Sequence, residues 1–323
     1  MTAVAETVLR VEGLTVHYYT LRGIVRAVED AWLEAGSGEL VALVGESGSG
    51  KSTLGLALLN LVPPPGRVVR GSVYVGSTDI LSLRGEKLRQ ARGSLVSIVF
   101  QDPFTTLDPV RRIGDQIEEV LVEHGVQREE ARARAREVLE EVGLPRSVAE
   151  RYPHQLSGGQ RQRVSIAAAI ALWPSVLVAD EPTTALDVVV QKQIMDLIDG
   201  LRRSHGMAVV LVTHDIALAA ERADRLAVMY AGQIVEQGPA GEVVAKPLHP
   251  YTRMLLASVP DIDSDRWPEP IPGQPPDLRA PPPGCRFHPR CPEAVEKCRR
   301  EEPPLTLLPG GRAVKCWLHA GRE

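Results

Sequence analysis

The first 284 residues contain no cysteine, and aromatic side chains make up only 4% of the 323-residue chain. So few rings argue against a single-strand nucleic-acid binder built on stacking platforms. Positive charge is not in excess either: 37 Lys+Arg stand against 41 Asp+Glu, a formal charge of −4, which leaves no overall footprint for a duplex nucleic-acid partner, a local basic patch aside. Long apolar runs are missing. The longest uncharged stretch, Val164 to Ala179, is broken by Trp173-Pro174 and falls short of the roughly 18–20 residues a span needs. The segment Met1 to Glu6 lacks the basic and apolar regions of a secretory leader, so a cytosolic location is expected, where structural disulfides are rare. What remains is ordinary globular composition, 44% hydrophobic and 24% charged, at a length that suits one or two cores.

Strand and helix patterns alternate along most of this length. Leu14, Val16 and Tyr18 alternate with polar residues, Val25–Trp32 continues the strand signal, and Glu39–Val44 reads as a buried strand. Further strands are expected at Ser72–Val75, Ser97–Phe100, Ser175–Ala179 and Ala208–Val212. Charged helical sequence fills about 102–144, including an Arg/Glu-rich helix at Arg128–Val142. This alternation predicts an α/β fold on a parallel sheet with a helical insert. From Pro268 to Pro283 eight of 16 residues are proline, which excludes helix and central strand there and predicts an extended strap before a small cysteine-bearing tail.

Three motifs carry chemistry. Gly45-x-x-x-x-Gly50-Lys51-Ser52 lies between an apolar strand and a helical pattern, as a phosphate loop requires. Its glycines let backbone N–H groups close on phosphate oxygens, Lys51 neutralises them, and Ser52 offers a hydroxyl to Mg²⁺. Val176–Ala179 leads into Asp180-Glu181, where Asp180 would orient Mg²⁺ and Glu181 would accept a hydrogen bond from attacking water; helix-opening acids are the plainer alternative. Leu156-Ser157-Gly158-Gly159-Gln160 precedes an Ala/Ile-rich helix and offers either a second anion-binding helix end or a simple N-cap.

In this combination and order the chain closely resembles the ATP-binding subunits of ABC transporters, over about residues 8–255. The resemblance implies a P-loop NTPase of the ABC ATPase fold, with an antiparallel β subdomain and a helical subdomain at about 102–165. Gly45, Ser47, Gly48, Ser49, Gly50, Lys51, Ser52 and Thr53 correspond to Walker A, Asp180-Glu181 to Walker B with its catalytic glutamate, and Ser157, Gly158, Gly159 and Gln160 to the signature. It further implies that Gln101 senses the γ-phosphate and Mg²⁺, that Asp187 belongs to the D-loop, and that His214 is the switch histidine. Tyr18 is the expected adenine-stacking ring, with Tyr19 as the alternative. The signature of one subunit would complete the ATP site of another, so a head-to-tail dimer is expected. Phe104 and Leu107 are expected to meet a permease helix.

The tail, residues 256–323, carries Cys285, Cys291, Cys298 and Cys316 in a C-x5-C-x6-C-x17-C pattern without the close pair of a zinc ribbon. Four thiolates suit a [4Fe–4S] cluster or zinc, and unligated thiols stay open as a third reading. With Lys246–Thr252 and Ile271–Leu278, the tail resembles the C-terminal extension of oligopeptide/dipeptide importer ATPases, some of which carry a [4Fe–4S] cluster at these positions. Leu61–Arg67 resembles the D-type subunit. The resemblance implies a peripheral ATPase on the cytoplasmic face of the membrane. It would work with an F-type second ATPase subunit, two transmembrane permease subunits, and an extracytoplasmic peptide-binding protein. Nickel or another small solute is the alternative cargo. A non-transport ABC ATPase is the alternative of another class, disfavoured by the single cassette and the short helical insert.

Overall fold

The computed structural model describes residues 6–259 and 267–321; Met1–Ala5, on which part of the leader reading rested, lie outside the described residues. In chain order the elements are β1 (Thr7–Thr20), β2 (Gly23–Gly36), β3 (Leu40–Val44), α1 (Lys51–Leu58), β4 (Gly66–Val75) and β5 (Thr78–Asp79). Then come α2 (Gly85–Ser94), β6 (Val96–Val99), α3 (Pro103–Thr106), α4 (Ile113–Glu123), α5 (Arg128–Glu141), α6 (Gly158–Ile170), β7 (Val176–Asp180) and α7 (Val188–His205). The series continues with β8 (Ala208–Val212), α8 (Ile216–Arg222), β9 (Arg225–Tyr230), β10 (Gln233–Pro239), α9 (Ala240–Ala245), α10 (Pro250–Ala257), α11 (Glu296–Arg300), β11 (Leu305–Leu308) and β12 (Arg312–Lys315). The chain divides into two compact units: one holds residues through Leu9, Gly36–Gly38 and Val75–Val210, the other Arg10–Ala35, Glu39–Tyr74 and the chain from Leu211 onward.

The first unit holds the helical insert. In α4 the buried residues Ile113, Ile117 and Leu121 recur every four positions, and α5 answers with Ala131, Ala135, Val138 and Leu139. The small alanines let the two helices approach closely, while Arg112 and Arg136 pair with Glu150 in solvent, where such bridges add little. β7 is buried along its whole length and runs parallel to β6, with Val96 opposite Val176 and Val99 opposite Ala179. Strands buried on both faces read as continuous apolar sequence, which is why this one was visible.

In the second unit, β3 pairs in parallel with β9, and β9 turns back antiparallel into β10. The cysteine-bearing tail is not a separate knot. Its hairpin β11–β12 joins this sheet, β12 lying antiparallel to β10 with Glu236 opposite Val314. The order is therefore β11-β12-β10-β9-β3, while β2-β1-β4 form another sheet. The polar Thr/Arg/Lys content of β11 and β12 hid this strand addition from a periodicity reading. Residues 267–283 contain neither helix nor strand, as the proline content requires. Among the described residues, no helix is long and apolar enough to cross a membrane.

His249 begins α10: its Nδ1 accepts from the Tyr251 N–H at 3.0 Å, and Pro250 takes the first helical position. The ring is 1% exposed, and burial, with Arg253 and His319 adding positive charge nearby, pushes its pKa down to about 3. The Glu236 carboxylate beside it is already committed to the Leu248 and His249 N–H groups and to Arg312. An unfolded histidine takes up its proton near pH 6.5, so between about 6.5 and 3 the unfolded chain holds the extra proton and stability declines as pH falls. His249→Asn keeps a capping acceptor without the titration. Denaturant melts from pH 7 to 4.5 should show a shallower acid loss for the variant, by up to about 1.4 kcal/mol per pH unit; parallel curves would assign the acid sensitivity elsewhere.

Candidate nucleotide site

β3 delivers the chain into Gly45 with no exposed residue on the way. At Gly45 and Gly50 the loop lies so close to neighbouring backbone that a side chain is excluded. A Cβ on Gly45 would fall 2.1 Å from the Met229 carbonyl oxygen, and one on Gly50 2.1 Å from that of Ala27. Gly50 also sits at φ +105°, in the left-handed region, at the N-cap of α1. No side chain caps this helix and no acid occupies its first turn, so its leading N–H groups and positive dipole end suit an anion. The Lys51 ammonium is 6% exposed and donates to the Gly45 and Glu46 carbonyls at 2.8 and 2.9 Å. The buried Ser49 hydroxyl has no partner among the described residues, the kind of orphan a phosphate oxygen would satisfy. These features fit a triphosphate.

In the same unit, the Thr213 N–H donates to the Leu43 carbonyl at 3.1 Å, which brings the exposed His214 to the strand end where Gly45 begins. Tyr18, half-buried, has its hydroxyl 3.5 Å from Thr53 Oγ1, whereas Tyr19 is exposed with Arg67 over its ring. Sequence reading missed how Glu46 is held. Its N–H donates to the Tyr251 hydroxyl at 2.9 Å, and its carboxylate receives both arms of Arg290 at 2.7 and 2.9 Å. No local signal announces contacts across 205 and 244 residues.

The first unit brings Gln101 and Glu181 together. Because β6 and β7 are paired 80 residues apart in register, the residues just past their ends also meet: Gln101 Nε2 donates to Glu181 Oε2 at 2.9 Å, and Thr184 Oγ1 donates to the same oxygen at 2.9 Å. Glu181 adopts φ +45°, sparsely allowed for a side chain of its kind. Asp180, 7% exposed, ends β7. Ser157 closes a capping box on α6, accepting from the Gln160 N–H at 3.3 Å while Gln160 Oε1 accepts from the Ser157 N–H at 3.0 Å. A Cβ on Gly159 would meet Val190 at 2.7 Å, and Asp187 caps α7, accepting from the Val190 N–H at 3.0 Å. The signature and D-loop sequences are thus packed on each other.

Ser52 and Asp180 are the expected Mg²⁺ residues, and hydroxyl and carboxylate oxygens are donors that suit a hard cation taking most of its shell from phosphate and water. For the tail, the structure does not support the expected metal or cluster. Among the described residues no group of three or more His, Cys, Asp or Glu is arranged to hold a metal ion, and all four cysteines are free thiols. Burial pushes Cys285 up to about 12 and Cys316 up to about 11, and raises Cys291. Side-chain contacts of Phe104 lie outside the described residues, while Leu107 is 8% exposed and not free to meet a partner as expected.

A strand-fed phosphate loop with obligatory glycines, and a carboxylate pair ending a buried strand, define a P-loop nucleotide hydrolase. The profile described as ABC transporter matches residues 28–184, and that described as oligopeptide/dipeptide transporter, C-terminal region, matches residues 235–298. The chain is 46% identical to the dipeptide transport ATP-binding protein DppD of Haemophilus influenzae, over 95% of this chain and 94% of that one. It is 43% identical to the oligopeptide transport ATP-binding protein AppD of Bacillus subtilis, over 97% of each. Among solved structures, a dimeric ATP-binding cassette in a post-hydrolysis state bound to ADP and Pi matches 72% of this chain and 98% of its own, at 33% identity and a TM-score of 0.62. The chain belongs to the ATP-binding proteins of ABC transporters, in the oligopeptide/dipeptide group.

Gly50→Ala tests the cradle. The new methyl must displace the Ala27 carbonyl at an unfavourable φ, so nucleotide binding by calorimetry is expected to be lost, with stability down by about 1–3 kcal/mol. Parental affinity in this variant would show that the loop does not hold phosphate.

Proposed function

We propose that the chain is the ATP-binding and ATP-hydrolysing subunit of an ABC importer that energises uptake of di- and oligopeptides. The observation that carries this reading is the similarity to peptide-import ATP-binding proteins, which runs through both the cassette and the tail. The names of those relatives favour peptide over nickel as cargo. Functionally we divide the chain into a nucleotide-binding domain, 8–255, with its helical part at about 102–165, and an extension, 256–323.

In this reading the phosphate loop between Gly45 and Thr53, with its glycines and the Lys51 ammonium, holds the phosphates, and Tyr18 stacks on adenine. Ser52 and Asp180, with Gln101, hold Mg²⁺. When bound, the ion neutralises charge on the β- and γ-phosphate oxygens. Glu181 orients the attacking water and takes its proton; the bonds from Gln101 and Thr184 to its Oε2 hold the carboxylate in place. His214 donates to the γ-phosphate. Ser157 to Gln160 and Asp187 serve the nucleotide of an opposing subunit, an F-type partner, and that head-to-tail pairing drives two permease subunits supplied by an extracytoplasmic binding protein. Such a subunit sits peripherally on the cytoplasmic face.

Glu181→Gln is expected to bind MgATP as the parent does while turnover falls at least about 100-fold, and Lys51→Ala to lose binding, in the transporter reconstituted with its permease. Parental turnover in Glu181→Gln would sink the mechanism. For the tail we retain a [4Fe–4S] cluster as a proposal. It is supported by the resemblance and by the Phe287, Glu293 and Leu318 N–H groups, which reach the sulfurs of Cys285, Cys291 and Cys316. Anaerobically purified protein should then carry about four irons per chain; iron-free protein, or zinc instead, would remove it.

A further inference from the structure

Every polar group of Glu46, the residue after the first glycine of the phosphate loop, is committed. Its carbonyl accepts from Lys51 Nζ at 2.9 Å and from the Ser49 N–H at 3.2 Å, fixing the ammonium from within the loop. Its other two groups are held from the far end of the chain. The N–H ends on the Tyr251 hydroxyl, and the carboxylate on Arg290.

Arg290 is built for this contact. Its side chain is 4% exposed, and its five N–H groups meet five acceptors: two Glu46 oxygens, the Tyr230 hydroxyl at 3.3 Å, and the Pro272 and Ile271 carbonyls at 2.8 and 3.4 Å. Only a guanidinium supplies that many donors in one plane. The strap carbonyls hold the fork, and the fork holds Glu46. Tyr251 is fully buried against Tyr230 and Phe287, with ring centroids 4.6 and 5.4 Å away, so its hydroxyl cannot wander. A second arginine of the same short segment, Arg286, donates to the Ala231 carbonyl and to Glu29 at 3.2 Å. The next residue, Gly232, donates its N–H to the Ser49 carbonyl at 2.8 Å.

We infer that Arg290 and Tyr251 are positioning residues for ATP: through Glu46 they set the phosphate loop and the Lys51 ammonium in the phosphate-ready arrangement, making the C-terminal extension a brace of the nucleotide site. The physical consequence is specific. Without Arg290, an unpaired carboxylate stands beside the seat of a triphosphate, and the Glu46 peptide loses one of its two outside anchors. Binding suffers more than the chemical step, because neither residue touches the reacting atoms.

This inference rests on the ATPase reading above, and the controls separate the two. In the full chain assembled with its permease, ATP dependence of hydrolysis, MgATP affinity and melting temperature are measured for the parent, Lys51→Ala, Arg290→Met, Tyr251→Phe and the pair Glu46→Gln with Arg290→Met. Arg290→Met should raise the ATP KM and Kd about tenfold, as loss of a charge-assisted bidentate pair predicts, with kcat at saturating ATP within about twofold. Tyr251→Phe, which keeps the ring packing, should raise KM about threefold. The double variant should bind no more weakly than Arg290→Met, since both changes act through one contact. If Arg290→Met does not fold, Tyr251→Phe and Arg290→Lys decide: raised KM in both supports the brace. Unchanged KM in the folded variants, or weaker binding by the pair than by Arg290→Met, overturns it while Lys51→Ala still abolishes binding. A parent that binds no MgATP overturns the ATPase reading and the brace together.

Discussion

The phosphate loop lies against two backbone carbonyls, those of Met229 and Ala27, at a distance that leaves room for hydrogen and nothing larger at Gly45 and Gly50. That close approach is the constraint on which the remaining arrangement depends. Beside it α1 has no side-chain cap, and the buried Ser49 hydroxyl has no partner among the described residues. A helix start without a side-chain cap and an orphaned buried hydroxyl are features a compact fold ordinarily avoids, and an anion with several oxygens would suit both. The unit tolerates them because β3, β9 and the tail surrounding the loop are firmly paired.

The carboxylate end of the chemistry is organised by a different device. The register of the parallel β6–β7 pairing decides that Gln101 and Glu181 leave their strands side by side. Glu181 accepts a left-handed backbone there, a local cost that the flanking strand holds in place. Ser157 and Asp187, by contrast, cap their own helices, and Val190 packs against Gly159.

Much of this was legible in the residues. Apolar strands ending in Gly45 and in Asp180 can be read directly, because burial on both faces leaves an unbroken hydrophobic run. The helix over 128–141 and the proline strap were equally plain. The joining of β12 to β10 was not, since Arg312 and Lys315 carry no strand-like alternation and are buried by pairing with Glu236 and Asp30. Nor was the Glu46–Arg290 contact, for a variable position in a glycine-rich motif gives no hint of a partner so distant. The cysteine spacing suggested a metal, and among the described residues no group of three or more His, Cys, Asp or Glu is arranged to hold one.

The addition of β12 to the sheet has a consequence for biosynthesis. A nascent chain shows the ribosome exit its phosphate loop long before it shows residues 286–315, so the sheet waits with an open edge at β10 and a loop lacking its distal support. Closure across 244 residues is entropically slow compared with forming α4 and α5. Completion of the sheet edge and of the Glu46–Arg290 contact therefore comes late in the maturation of the polypeptide, after nearly all of its other contacts exist.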